Sequence, residues 1–239
     1  MASLNLAAKF SCYALVLSLG LMAGQSYAQK QVNINDLVPM NKEGISEDQQ
    51  ANKKALQELI SAMPQFSANF KQQLSDSDNT LLSESRGKIY ISHPNMFMIH
   101  TKIPDETALY TKDHDIYYYY DSIVNQVSIY SIDSLGTNPL MLLTGSDPHK
   151  WDDYYVSRDR QRFTLIPKAS KDFKSITISF IDHRFEEDNA YIKAIDSLSI
   201  RMDDGNTNFY LFTNQKNKVA KDSFDYRLPN DVEIDDQRQ

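Results

Sequence analysis

From Gln65 onward, apolar side chains recur at every second position for most of the chain, and short polar turns separate the runs. Phe66, Ala68 and Phe70 alternate with Ser67, Asn69 and Lys71, the period of a strand with one apolar face. Further runs of this kind cover residues 85–92, 96–102, 107–112, 115–121, 126–131, 154–157, 162–166, 175–181, 191–202 and 208–214. This spacing leaves no room for crossover helices, so it points to an antiparallel meander rather than a parallel sheet. The clearest unit is 87–99. Ile89 and Ile91 alternate with Lys88, Tyr90 and Ser92, His93-Pro94-Asn95 breaks the run, and Met96 opens the next strand. Proline has no ladder donor and holds the preceding residue extended, so the chain turns there with large apolar residues up to the corner's edge.

One amphipathic helix precedes the strands. Ser46-Glu47-Asp48-Gln49 has the form of a capping box, Ala51, Ala55, Leu56, Leu59, Ile60 and Met63 share one stripe, and Pro64 stops it. A helix over 47–63 is expected, with the Gln49 side chain satisfying the first turn's free donors. In mid-sheet, Pro139-Leu140-Met141-Leu142-Leu143 and Asp147-Pro148-His149-Lys150-Trp151 read as two short helical pieces. The first, nearly all apolar, is either a plug in the core or a lid over a cavity, and composition favours the plug. Asp203-Asp204-Gly205-Asn206 reads as a hairpin turn, residues 182–189 as a protruding charged loop, and 224–226 as a last short strand.

Residues 1–28 carry one charged side chain, Lys9, an apolar run over 10–23, and Ser26-Tyr27-Ala28 as a small-x-small cleavage site. The run is short of the ~20 residues of a spanning helix. A secretory signal is expected there, then a flexible polar leader over 29–45 and a single domain over 46–239. Cys12, the only cysteine, lies inside the signal, so the mature chain is expected to have neither disulfides nor a thiolate site. Without Lys9 the chain has 24 basic and 32 acidic residues, a net charge of −8. That balance suits neither nucleic acid nor an anionic membrane.

Motifs for chemistry are absent. The five histidines fall singly, there is no G-x-S-x-G elbow, and seven glycines form no phosphate loop. Asp152-Asp153 and Asp203-Asp204 are more simply turn residues than a glycosidase pair. Tyr117-Tyr118-Tyr119-Tyr120 suits an ordinary strand better than a stacking platform for sugars or bases. No metal or other cofactor is expected. What remains is surplus apolar surface, of the kind that lines a pocket for apolar ligands.

Several segments, in order and correctly spaced, resemble the periplasmic outer-membrane lipoprotein carriers, the LolA family. They are Phe66 to Gln72, Pro94-Asn95-Met96-Phe97, Asp115 to Asp121 with Gln126-Val127, Asn138 to Leu142, Phe163 to Ser170, and Pro229 to Arg238. The resemblance implies an incomplete antiparallel β-barrel, a half-barrel, covered by short α-helices that enclose a hydrophobic cavity. It implies a non-enzymatic, monomeric periplasmic chaperone. Such a carrier takes acylated lipoproteins from an ATP-driven inner-membrane lipoprotein-releasing complex and passes them to an outer-membrane lipoprotein receptor. A periplasmic sensor or regulator on the same fold, binding a protein partner or lipid, is the alternative, and a hydrolase on a β-scaffold is a third. A methylene is worth about 0.8 kcal/mol, so a ~15-carbon chain costs on the order of 12 kcal/mol to expose to water.

On this resemblance Leu140, Leu142 and Leu143 belong to a lid, and Phe66, Phe70, Ile89, Ile91, Phe97 and Ile99 are candidates to line the acyl-chain cavity. The family's arginine before the corner proline, which bonds lid carbonyls, is His93 here. An imidazole has fewer donors than a guanidinium and titrates near neutrality, so a weaker or pH-sensitive lid latch is expected. Residues 29–45 and 182–189 are longer than the family's pattern, and Tyr118 stands where many members have tryptophan.

Overall fold

A computed structural model describes residues 45–112, 115–132, 139–144, 148–169, 172–185 and 190–238. The expected signal and nearly all of the expected leader lie outside the described residues, as do His114, Asp147 and residues 186–189. The described chain is one helix, α1 (Ile45–Ser61), and twelve strands: β1 (Gln65–Ser75), β2 (Leu81–Ser92), β3 (Met96–Ile103), β4 (Thr107–Thr111), β5 (Ile116–Asp121), β6 (Gln126–Ser131), β7 (Tyr154–Asp159), β8 (Arg162–Pro167), β9 (Phe173–Phe185), β10 (Ala190–Met202), β11 (Thr207–Lys216) and β12 (Glu233–Asp236). Three short 3-10 turns, Pro139–Thr144, Pro148–Asp153 and Lys221–Phe224, complete it.

All twelve strands form one sheet in the order β12-β6-β5-β4-β3-β2-β1-β11-β10-β9-β8-β7. It is two antiparallel meanders joined where β1 pairs with both β2 and β11. β7 and β12 are its edges, so the sheet is mainly β and does not close. Register shifts between Ser67 and Asn69, Arg86 and Gly87, and Ile195 and Ser197 supply the local bends that let a broad sheet curl. At Gly87 the backbone allows nothing larger, because an added Cβ would lie 2.1 Å from the His100 carbonyl oxygen and 2.8 Å from Thr101 Cα.

Several expected boundaries move. The helix starts two residues earlier than the capping box suggests, and the Gln49 side chain is spent elsewhere. Its Oε1 accepts from the Val156 backbone N–H at 2.7 Å, while Asn52 Nδ2 donates to the Val156 carbonyl at 3.2 Å. One turn of helix thereby satisfies the exposed ladder of edge strand β7, which open edges otherwise leave unpaired. Residues 182–185 are strand, not loop. Asp182 pairs with Lys193 across the ladder, with 2.6 Å between Oδ1 and Nζ, so charged residues extend the β9–β10 hairpin there. Residues 224–226 are not a strand either. Phe224 ends a 3-10 turn, and the last strand is β12, paired parallel to β6.

The segment leading to β12 is a strap over the outer face. Phe224, Val219, Tyr226, Leu228 and Val232 pack on Met98, Ala108, Tyr110 and Tyr120. This explains the tyrosine run. Tyr117 and Tyr119 face the concave core and Tyr118 and Tyr120 the strap, so both faces of β5 are covered. The strap is pinned by Glu106, whose Oε1 accepts from Tyr226 Oη at 2.9 Å and lies 2.7 Å from His100 Nε2. Desolvation raises the Glu106 pKa, but the hydrogen bonds from His100 and Tyr226 outweigh it, and Lys102 adds to them, so its carboxyl sits below the ordinary value. A depressed carboxyl stabilises above its unfolded pKa and is lost as pH falls through the folded one. Amide protection of the strap, corrected for intrinsic exchange, is therefore expected to drop as pH falls below about 4.3. Glu106→Gln is expected to lower it already at neutral pH. Hydrogen exchange measures both, and equal protection in the variant at pH 7 would show that the strap is held by packing alone.

Candidate functional site

The concave face carries one continuous apolar cluster. Phe66, Ala68 and Phe70 of β1, Ile89 and Ile91 of β2, Phe97 and Ile99 of β3 and Leu109 of β4 are all buried in it. The far wall comes from Phe163, Ile176, Ile178, Leu198, Tyr210 and Phe212. Three pieces cover this face. Helix α1 contributes Leu56, Ile60 and the following Met63; the Pro139–Thr144 turn contributes Leu140, Leu142 and Leu143; the Pro148–Asp153 turn contributes Trp151. Each candidate cavity residue therefore lies in the same cluster, and register keeps them on one side. Phe66 pairs with Ile91, Ile91 with Phe97, Ile89 with Ile99, and Ile99 with Leu109.

Between the sheet and the 139–144 turn a cavity of about 10 Å³ remains, lined by Ile89, Ile91, Phe97, Ile99, Leu109, Leu140 and Thr144. That is space for roughly one water molecule. Phe66, Phe70, Leu142 and Leu143 are core neighbours rather than lining. Leu109 and Thr144 line it without having been named from sequence; pairing 107–112 with 96–102 identifies Leu109 as the partner of Ile99, whereas nothing local marks Thr144. The choice between plug and lid dissolves in this geometry. The turn crosses the opening of the concave face as a lid does, and its leucines fill the space beneath as a plug does.

At the corner, His93 Nε2 lies 3.1 Å from the Leu143 carbonyl oxygen and, in the tautomer that protonates Nε2, donates to it. This hydrogen bond ties the β2–β3 corner to the covering turn. The corner is itself braced. The His93 backbone N–H donates to the Pro64 carbonyl at 2.8 Å, the His93-Pro94 peptide is cis, and Asn95 has φ 61. Thr111, fully buried, accepts from the Phe97 N–H at 3.0 Å and donates to the Asn95 carbonyl at 3.2 Å. Its place at the end of β4 opposite the corner was visible in the sequence only as one more small polar residue.

Among the described residues no group of three His, Cys, Asp or Glu side chains is placed to hold a metal ion. No helix among them is long and apolar enough to cross a membrane.

An open, strongly curved antiparallel sheet whose apolar hollow is closed by its own turns accords with the sequence comparisons. The family described as outer membrane lipoprotein carrier protein LolA matches residues 61–227. The chain belongs to the LolA family. A protein named outer-membrane lipoprotein carrier protein from Aliivibrio fischeri is 34% identical over 185 residues, 77% of this chain and 89% of the relative. One of the same name from Histophilus somni is 30% identical over 214 residues, 88% of this chain and 99% of the relative. Another, from Actinobacillus pleuropneumoniae, is 30% identical over 185 residues, 77% of this chain and 83% of the relative.

Within this LolA domain two substitutions test the corner and the hollow. His93→Ala removes one hydrogen bond, worth about 0.5–1.5 kcal/mol, so hydrogen exchange at 139–144 should quicken by up to about tenfold while β1 and β11 keep their protection. Unchanged exchange there would mean that the turn is held by its other contacts and not by the His93 bond. Gly87→Ala meets backbone that cannot yield, and a loss of about 1–3 kcal/mol or more is expected in urea unfolding.

Proposed function

We propose that this chain is a periplasmic lipoprotein carrier that shields acyl chains in the hollow of its half-barrel during passage between the two membranes. Residues 1–28 serve as the secretory signal and the domain from 46 onward as the carrier. The observation that carries this reading is the chemistry of the cover. The hollow is covered by apolar side chains of α1 and the two turns, the leucines of 139–144 among them, and by the His93 hydrogen bond, in a chain whose relatives are named lipoprotein carriers. A lid held this way is exchangeable. An acyl chain offers the concave face the same methylene contacts that Leu140, Leu142 and Leu143 offer it, so entry substitutes one apolar filling for another with little net change. The space of about 10 Å³ is far below the ~300 Å³ or more of ordinary ligand pockets, so binding requires the turn to move. Phe66, Phe70, Ile89, Ile91, Phe97 and Ile99 then line the occupied cavity, with Leu109 added, and His93 acts as the latch that re-forms on release.

The cargo arrives from an inner-membrane releasing complex and leaves to an outer-membrane receptor, and the carrier works as a monomer without catalysis or cofactor. Purification from the periplasm of cells expressing the full chain, followed by intact-mass and lipid analysis, tests the reading. Acylated protein or free lipid is expected in stoichiometric amount. Recovery free of lipid under every expression condition would overturn it.

A further inference from the structure

The concave face changes chemistry part-way along. Inward positions on β1 run Phe66, Ala68, Phe70 and then Gln72; the facing positions on β2 run Ile91, Ile89, Gly87 and then Ser85. Gln72 is opposite Tyr210 of β11, and Asn208 is the next inward position on that strand. Gln72 and Asn208 are 5% and 4% exposed. They form a connected network: Gln72 Nε2 donates to Asn208 Oδ1 at 2.9 Å, Ser85 Oγ donates to Gln72 Oε1 at 2.8 Å, and Asn208 Nδ2 donates to Tyr210 Oη at 3.4 Å. This buried polar network lies toward the end of β1 and β2 away from the His93–Pro94 corner. Between it and the apolar part stands Phe70, edge-on to Tyr210 with centroids 5.8 Å apart and seated against Gly87.

The position of this boundary matches the size of a lipid tail. From Ile91 to Gly87 is four residues of strand, about 13 Å, and Ser85 lies about 20 Å from Ile91. One acyl chain fills half of a bilayer's ~30 Å hydrocarbon core. A chain lying along β1 and β2 from the corner thus has apolar wall for its length and meets amide and hydroxyl groups at its end. A methyl terminus pushed among them breaks hydrogen bonds that nothing replaces.

Resting on the carrier reading above, we propose that Gln72, Ser85 and Asn208 form a polar stop that sets the longest unbranched acyl chain this protein accepts. The same groups tolerate a longer chain that ends in a hydroxyl, because a hydroxyl joins their network as donor and acceptor.

Displacement of a dansyl-labelled fatty acid by saturated fatty acids of increasing length, each below its micelle concentration, tests this. Affinity for wild type is expected to rise by up to about fourfold per methylene and then to flatten at one chain length. Beyond that length ω-hydroxy acids are expected to bind more tightly than methyl-ended acids of equal length. In Gln72→Met/Ser85→Ala/Asn208→Leu, checked for folding by circular dichroism, the break is expected at longer chains. The same break in wild type and folded variant overturns the polar stop, as does a wild-type series in which ω-hydroxy and methyl-ended acids flatten together. The second comparison needs no mutant and decides the matter if the triple variant does not fold. Failure of every acid to displace the reporter overturns the acyl-binding reading itself.

Discussion

A curved sheet with one apolar face cannot leave that face in water, and the rest of this molecule follows from how the hollow is filled. The chain fills it with its own leucines. Each of Leu140, Leu142 and Leu143 is buried, and burying such a side chain is worth roughly 1.5–3 kcal/mol. The His93 bond to Leu143 adds about 0.5–1.5 kcal/mol. The latch is therefore the smaller part of closure, and the apolar contacts are the larger. That dominant contribution does not depend on the side chain at position 93, and the corner that presents the imidazole is held independently by Thr111 and Pro64.

The outer face solves the opposite problem. There the sheet has to stay covered permanently, and the strap does so with Phe224, Tyr226 and their neighbours, Glu106, and a parallel strand at the edge. One side of the sheet is thus covered by apolar side chains of α1 and two short turns, with the His93 bond beside them, and the other by a chain segment anchored at several points. At the opposite edge, Gln49 and Asn52 occupy the free ladder of β7 at Val156.

Much of this was legible in sequence. Period-two alternation located the ten strands from β2 to β11 and the start of β1, because each has at least one face against the core and alternation is what burial of one face looks like. The ends were less visible. β9 runs on through Asp182 to Phe185 since Lys193 neutralises Asp182 across the ladder, and a cross-strand pair leaves no local signature. β12 was missed because two of its four residues are exposed aspartate and glutamate, and its partner lies about a hundred residues back. In the hollow, alternation puts Phe66, Phe70, Ile89, Ile91, Phe97 and Ile99 on faces of their strands and the resemblance marks those faces as inward, while Thr144 and the Gln72–Asn208 pair depend on three-dimensional approach. Gln72 breaks an apolar series that sequence reading followed only as far as Phe70.

The pairing of β1 with β11 has a consequence for how the chain is made. Gln72 and Asn208 bond across 136 residues, so the first meander emerges with one side of its leading strand unpaired until most of the polypeptide has followed. Local hairpins can form as they appear, but the join between the two halves closes late and pays a large loop entropy. During that interval the apolar hollow has only half its walls. Until that join closes, the half-built chain presents to water the apolar surface that the finished fold buries.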